Sequence, residues 1–308
     1  MQDYYALDNT DIDILRILYN DCRTSYRSIA SSIGLSKNAV KTRVNRLISN
    51  GIIRGFMTSI NPAIFGYSRV CYLTIKDNKG VEKTLNSLKR LGKPIIKMDC
   101  IGGFSIFALA AREQDIEKIR SLVEASGPAL VLNCIVGQYP IKYKLQETDF
   151  KMLKCLISDP RMEIVEIAKR VSVSSKTASK RFARMTEDRI LNIIVDTDPV
   201  KMPGYIVFGM IIRFDKKDYQ KLIWRIQEEL ERSFVIAFPR IIQKDIAFYQ
   251  LVARSIFEID PILKKVETLE GINGAEVFIP FRAPVYQDWI LREIDNRIKH
   301  KGRSLVLV

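Results

Sequence analysis

Residues 7–53, LDNTDIDILRILYNDCRTSYRSIASSIGLSKNAVKTRVNRLISNGII, are written a second time as residues 145–191, LQETDFKMLKCLISDPRMEIVEIAKRVSVSSKTASKRFARMTEDRIL. The two stretches align without a gap, the second starting 138 residues after the first. Leu7/Leu145, Asp11/Asp149, Leu15/Leu153, Leu18/Leu156, Arg23/Arg161, Ile29/Ile167, Ala30/Ala168, Ser36/Ser174, Arg43/Arg181 and Arg46/Arg184 coincide, and farther on so do Gly66/Gly204 and Tyr67/Tyr205. One such unit reads as a helical nucleic-acid-binding module; two in one polypeptide read as a built-in pseudo-dimer.

Three short helices account for each copy. The first is an amphipathic helix, capped at Thr10 with Asp13 and carrying Ile12, Leu15 and Leu18 inward; Thr148 with Phe150, Leu153 and Leu156 repeats it. The second runs from about Tyr26 to Ile33, with Ile29, Ala30 and Ile33 inward, and its counterpart uses Ile164, Ile167, Ala168 and Val171. Gly34 supplies the turn after it; Ser172 stands there in copy two, which predicts a less tight turn. Ser36 and Ser174 are the N-caps of the third helix. Val40, Val44, Leu47 and Ile48 make its inward face, matched by Ala178, Phe182 and Met185.

The opposite face of that third helix carries Asn38, Lys41, Thr42, Asn45 and Arg46 in copy one, and Lys176, Ser179, Lys180, Ala183 and Arg184 in copy two. Between its capping serine and its last core residue each third helix has four cations and no acid: Lys37, Lys41, Arg43 and Arg46, then Lys176, Lys180, Arg181 and Arg184. Such a helix suits a major groove, its amides and hydroxyls reading base edges while its cations meet phosphates. A charged helix face can also be merely solvated, but two at equivalent positions weigh against that reading. Gly51 ends the helix, and Ile52–Ile60 alternates as a strand or wing with Arg54 facing phosphate; copy two has Arg189 and Asn192 at those two places.

Composition narrows the partners. A length of 308 residues allows two or more cores, and 47% apolar with 27% charged residues fits an ordered globular chain. Residues 1–13 are short, polar and acidic, and no apolar run reaches membrane-spanning length, so a cytoplasmic address with no membrane partner is expected. Cys22, Cys71, Cys100, Cys134 and Cys155 occur singly, without CxxC spacing, and read as reduced, mostly buried thiols. His300 is the only histidine, which leaves His-based zinc sites, Ser/His triads and Cys/His dyads almost no raw material. No catalytic residue, metal or cofactor is therefore expected. A net charge of +14 favours a polyanionic partner, and its location on the third helices favours double-stranded DNA.

After each helical module comes the order β-α-β-β-α-β: Val70–Ile75, Val81–Leu91, Ile95–Cys100, Phe104–Ala111, Ile116–Ala125 and Ala129–Val136, then Val207–Phe214, Tyr219–Leu230, Val235–Gln243, Phe248–Val252, Ile259–Leu269 and Gly274–Phe278. Both read as a ferredoxin-like sheet with two helices on one face. The bare sheet faces need apolar cover, and pairing the two sheets within one chain would provide it. The expected class is α+β, with a tandem winged helix-turn-helix plus ferredoxin-like modules and a C-terminal helical extension. The divisions fall at 1–60, 61–144, 145–199, 200–281 and 282–308. In the extension Pro284 starts a helix with the stripe Trp289, Ile290, Ile294 and Ile298, followed by the basic cluster 299–303 and a short strand at 305–308. Packing against another subunit is the expected role of this extension, with a third DNA contact as the alternative.

With these residues in place the chain, over roughly residues 7–281, resembles two fused copies of the leucine-responsive/asparagine-type (feast/famine) family of transcriptional regulators. The resemblance rests on Leu7-Asp8-Asn9-Thr10-Asp11 with Ile14-Leu15 and Leu18, on Ile29-Ala30 through Gly34-Leu35-Ser36, on Val40 to Arg46-Leu47, and on Gly51-Ile52-Ile53; Leu145-Gln146-Glu147-Thr148-Asp149 opens the more worn second copy. It implies a winged helix-turn-helix, an effector-binding and dimerising αβ domain, and assembly into homo-dimers or larger discs. Where the family commonly has Gly-Asp-Tyr-Asp, this chain has Gly102-Gly103-Phe104-Ser105, and later Lys244-Asp245-Ile246-Ala247. An amino-acid ligand would lose partners for its ammonium, so the effector is expected to be changed or absent, and Gly102-Gly103 reads as the tight turn of a hairpin. The expected function is a nucleoid-associated, sequence-specific transcriptional regulator with two non-identical recognition helices, a repressor or a promoter-architecture protein. A nucleoid-organising protein is one alternative. Another is an enzyme: sirohaem decarboxylases resemble the same family and pair two such units, but their tetrapyrrole cavity usually includes histidine, and neither αβ module here has one.

Overall fold

The computed structural model describes residues 6–76, 80–137, 141–215, 219–231, 241–243 and 245–299. His300, the basic cluster beyond Lys299, the terminal strand and most of the expected strand at 235–243 lie outside these residues, as does Lys244.

The first helical module is α1 (Asn9–Asn20), α2 (Tyr26–Ile33) and α3 (Lys37–Ser49), and the second is α6 (Glu147–Ser158), α7 (Ile164–Arg170) and α8 (Ser175–Glu187). α1 starts earlier than its apolar pattern suggests. Its N-cap is Asp8, not Thr10: the Asp8 carboxylate accepts from the Asp11 amide at 2.9 Å and the Asp11 carboxylate accepts from the Asp8 amide at 3.2 Å. On α6 the Asp149 carboxylate accepts from the Gln146 amide at 2.7 Å, so Gln146 and not the expected Thr148 is the N-cap. Ser25 caps α2, while Ser36 and Ser174 cap α3 and α8 by accepting the Ala39 and Thr177 amides, each at 3.1 Å. Such a cap is worth about 1 kcal/mol.

Gly34 adopts φ +69° at the end of α2, and Ser172 adopts φ +57° at the same point of copy two. Gly51 and Arg189 repeat the pattern with φ +69° and +54°. The turn after α7 is thus as left-handed as its glycine counterpart, because helix packing on both sides dictates the reversal whichever residue occupies it. Copy two accepts the steric cost, roughly 1–2 kcal/mol for a residue with a Cβ.

Beyond the helices run β1 (Ile53–Ile60) and β6 (Leu191–Thr197), which form a two-stranded sheet. The first αβ module contributes β2 (Arg69–Ile75), α4 (Glu82–Leu91), β3 (Gly92–Cys100), β4 (Phe104–Ala111), α5 (Ile116–Glu124) and β5 (Leu130–Gly137). The second contributes β7 (Ile206–Phe214), α9 (Tyr219–Glu231), β8 (Ile241–Gln243), β9 (Ile246–Ala253), α10 (Ile259–Glu267) and β10 (Ile272–Phe278). Their sheet orders, β11-β3-β4-β2-β5 and β10-β7-β9-β8, are ferredoxin-like, the first extended at its edge by β11 (Pro280–Arg282).

By packing, the chain divides into two compact units that cut across these linear modules. The first unit comprises residues 1–55, 97–106 and 194–283. In it the first helical module docks on the second αβ module: Arg254 donates to Asn9 Oδ1 at 2.8 Å, Gln250 Nε2 donates to the Tyr19 hydroxyl at 3.3 Å, and Tyr19 also bonds Thr197. Residues 97–106 lie on the sheet of the same αβ module through Cys100, Ile106 and Phe278, backed by Phe248. Apolar cover for that sheet thus comes from inside the chain.

The second unit comprises residues 56–96, 107–193 and 284–308. Here the second helical module meets β1 and the first αβ module: the Thr58 hydroxyl on β1 donates to the Leu156 carbonyl at 2.6 Å, and Phe150 lies 6.5 Å from Phe65. The C-terminal helix α11 (Asp288–Lys299) packs on α6 within this unit rather than awaiting another subunit. Trp289 is 4% exposed, meets Phe65 and Tyr67 edge-on, and donates its indole N–H to the Pro94 carbonyl at 2.8 Å. Lys154 of α6 pairs with Asp295 at 2.6 Å. Pro284 does not start this helix: the backbone stays extended past it, Val285 bridging to Ile96 and the Tyr286 amide donating to the Ile95 carbonyl. Among the described residues no helix is long and apolar enough to cross a membrane.

Candidate nucleic-acid interface

α3 buries Val40, Val44 and Leu47, which press it onto α1 and α2, while Lys37, Asn38, Lys41, Thr42, Asn45 and Arg46 are exposed. Ile48 is 42% exposed and does not join the inward face. α8 buries Ala178 and Met185 and exposes Lys176, Ser179, Lys180, Ala183 and Arg184, with Phe182 half-buried. Each third helix therefore presents polar and cationic side chains outward within its own unit, and the Arg184 guanidinium lies 5.8 Å from the Tyr143 ring.

Arg43 and Arg181, counted with the outward cations on sequence grounds, are placed otherwise. Arg43 Nη1 reaches Asp8 at 2.8 Å and Asp11 at 2.9 Å, so the two carboxylates that cap α1 also hold the middle of α3. Arg181 Nη1 lies 3.0 Å from both oxygens of Asp149, while its Nη2 donates to Gln146 Oε1 at 2.6 Å. The Tyr143 hydroxyl completes this second latch by donating to Asp149 at 3.1 Å. Asp11 and Asp149 are fully buried, and such carboxylates need paired, hydrogen-bonded surroundings. The guanidinium groups are thus turned to the fold, where they fix each third helix against the first helix of its module. A signal for this existed in the sequence: Asp11 sits at the head of the stripe Asp11, Leu15, Leu18, an acid on an apolar face, repeated as Asp149, Leu153, Leu156.

Arg54 also has an acidic partner. Its guanidinium meets Asp196 of β6 at 2.7 Å, and this hydrogen bond holds the Arg54 pKa above its usual value. The expected phosphate contact would have to compete with that carboxylate. In copy two the equivalent residue is Asn192, which is exposed on β6.

The effector-region positions lie at two strand connections. Gly102 and Gly103 adopt φ +99° and +80° and make the tight β3–β4 turn. Ser105 is buried and donates to Asp99 at 2.7 Å, and Lys97 pairs with the same carboxylate at 3.1 Å. Partial burial raises the Asp99 pKa, but the hydrogen bonds from Ser105 and Lys97 outweigh it and hold the group below its usual value. Asp245 lies in the β8–β9 turn, its carbonyl accepting from the Phe214 amide at 2.9 Å.

Comparison with known proteins places this geometry. A winged helix-turn-helix DNA-binding family matches the chain twice, at residues 7–54 and 145–194. The HTH-type transcriptional regulator Ptr1 of Methanocaldococcus jannaschii is 39% identical over 130 residues, which cover 41% of this chain and 86% of that protein. The chain belongs to the leucine-responsive/asparagine-type (feast/famine) family of transcriptional regulators. Regulatory protein AsnC of Haemophilus influenzae, a second relative, is 30% identical over 144 residues, covering 41% of this chain and 96% of its own. Both relatives thus align to 41% of this chain, as expected of a doubled member. Among solved structures, the siroheme decarboxylase NirDL spans 94% of this chain and 98% of its own at 13% identity, with a TM-score of 0.48. Escherichia coli AsnC spans 47% and 97% at 26% identity, with a TM-score of 0.33.

Proposed function

We propose that this protein is a sequence-specific DNA-binding transcriptional regulator that carries two different recognition helices, α3 and α8, in one polypeptide. The observation that carries the reading is the repeated winged helix-turn-helix, each copy with an exposed third-helix face that is cationic and free of acids as far as its last core residue. Lys37, Asn38, Lys41, Thr42, Asn45 and Arg46 serve one half-site, and Lys176, Ser179, Lys180 and Arg184 the other. The relatives' names as transcriptional regulators support a regulatory rather than an enzymatic role, and that role would be carried out at the nucleoid, in the cytoplasm. Promoter occlusion is the simplest output. The duplicated halves act as an intramolecular pseudo-dimer, and further pairing of whole chains gives four reading heads and room to bend DNA. The effector is changed or absent, because Ser105 brings no carboxylate of its own and the neighbouring Asp99 carboxylate is already engaged by Ser105 and Lys97.

Mobility shifts with native promoter fragments and with shuffled duplexes of equal length test this. The expected result is a subset of promoters bound at least tenfold more tightly than shuffled DNA, with affinity falling steeply as salt rises. Equal binding to both sets would make the protein a general nucleoid organiser, and no binding would remove the regulator reading altogether.

A further inference from the structure

α3 and α8 are built on the same frame, yet the chemistry at the centre of their outward faces differs. At about 100° per residue, the direction opposite the buried Val40, Val44 and Leu47 is occupied by Asn38, Thr42 and Asn45. All three are exposed and uncharged. Lys41 and Arg46 stand on either flank of that ridge. In copy two the same three places, opposite Ala178 and Met185, hold Lys176, Lys180 and Ala183, again all exposed. Its flanks are Ser179 and Arg184. The cationic pair Lys37/Lys41 of α3 has therefore moved one residue along the chain to become Lys176/Lys180 in α8, a rotation of about 100° that carries lysine from the flank to the centre.

This difference has a chemical consequence in a major groove. Asparagine presents an acceptor and a donor side by side, which matches the N6 and N7 edge of adenine, and the threonine methyl suits the thymine methyl. Lysine presents only donors, which match O6 and N7 of guanine and are repelled by the exocyclic amines of adenine and cytosine. Flanking cations are placed for the phosphate walls rather than the groove floor. Resting on the reading of α3 and α8 as DNA-reading helices, we propose that the operator is chemically two-sided: α3 reads an A·T-rich half-site through Asn38 and Asn45, and α8 reads a G-containing half-site through Lys176 and Lys180. The two halves of the operator are then unlike in base composition and not merely imperfect repeats.

The test is selection of the full chain against a pool of duplexes with a random core of about 30 base pairs, roughly three helical turns. The wild type is expected to enrich sites pairing one A·T-rich element with one G-containing element. The triple variant Lys176→Asn, Lys180→Thr, Ala183→Asn copies the α3 ridge onto α8 at exposed positions, and urea unfolding checks that it is folded. It is expected to lose the preference for guanine by about tenfold or more at each position, roughly 1.4 kcal/mol, and to enrich two A·T-rich elements. Selection of two like half-sites by the wild type, or a change confined to the A·T element in the variant, would overturn this assignment while leaving the regulator reading intact. DNA binding without enrichment of any sequence would overturn both the assignment and sequence specificity, and no binding at all would sink the whole functional reading.

Discussion

Replacing Arg181 by alanine separates a guanidinium that holds the fold from one that holds DNA. In the structure Arg181 neutralises the fully buried Asp149 with contacts at 3.0 Å and also bonds Gln146 and Tyr143. Removing one partner of a buried ion pair costs about 3–5 kcal/mol, since a buried charge is left uncompensated. The low end, about 3 kcal/mol, applies here, because the Tyr143 hydroxyl and the Gln146 amide still donate to Asp149. Urea unfolding measures that loss. The logarithm of the DNA-binding constant plotted against the logarithm of salt concentration measures the other role, because each phosphate contact contributes a slope of about 0.9. Arg181→Ala is expected to lower stability by about 3 kcal/mol and, under conditions where it stays folded, to leave the salt slope unchanged. Lys180→Ala, one residue away but exposed, is expected to change stability by less than about 0.5 kcal/mol and to weaken binding. A slope reduced by about 0.9 in Arg181→Ala, with stability untouched, would refute the latch and return Arg181 to the phosphate.

Other consequences can be measured without DNA. Ser172→Gly relieves a left-handed backbone and is expected to raise stability by about 1 kcal/mol, whereas Gly34→Ala, where a Cβ would meet nothing within 4 Å, is expected to lower it similarly through backbone strain alone; unchanged urea midpoints would contradict this. Asp8 is raised by partial burial but lowered more by the Asp11 amide and by Arg43, so its folded pKa lies below its ordinary value of 3.8. A lowered carboxylate contributes stability above the unfolded pKa and loses it as pH falls through the folded one. The stability difference between wild type and Asp8→Asn is therefore expected to be full near neutrality and to vanish in acid below 3.8; a difference that grew on acidification would contradict the sign. Trp289→Ala empties an aromatic site against Phe65 and Tyr67, with an expected loss of about 3–5 kcal/mol. A loss under about 1 kcal/mol would show that α11 is not a strut of the second unit.

Much of this molecule was legible along the chain because the determining interactions are local. The third-helix caps Ser36 and Ser174, the spans of α2, β4 and α5, and the glycine turn at residues 102–103 follow from short-range hydrogen bonding and apolar periodicity. Errors arose where a long-range partner decided the outcome. Arg43 and Arg181 looked free until buried carboxylates appeared beneath them, and Pro284 looked like a helix start until the chain continued beside β3; the α1 cap is the exception, since Asp8 and Asp11 are only three residues apart.

The sequence by itself determined that there are two winged modules and two ferredoxin-like modules, and which face of each third helix is polar, since repeats and periodicity are properties of one dimension. Only the tertiary structure decided which helical module docks on which αβ module. β1 and β6 pair so that the start of each meets the end of the other, the Asp198 amide donating to the Ile52 carbonyl at 3.0 Å and the Asn61 amide to the Ile190 carbonyl at 2.8 Å. Each helical module docks on the αβ module of the opposite half, an exchange held by this backbone pairing and by side chains far apart in sequence, such as Arg254 with Asn9 and Phe150 with Phe65, whose meeting no one-dimensional pattern encodes.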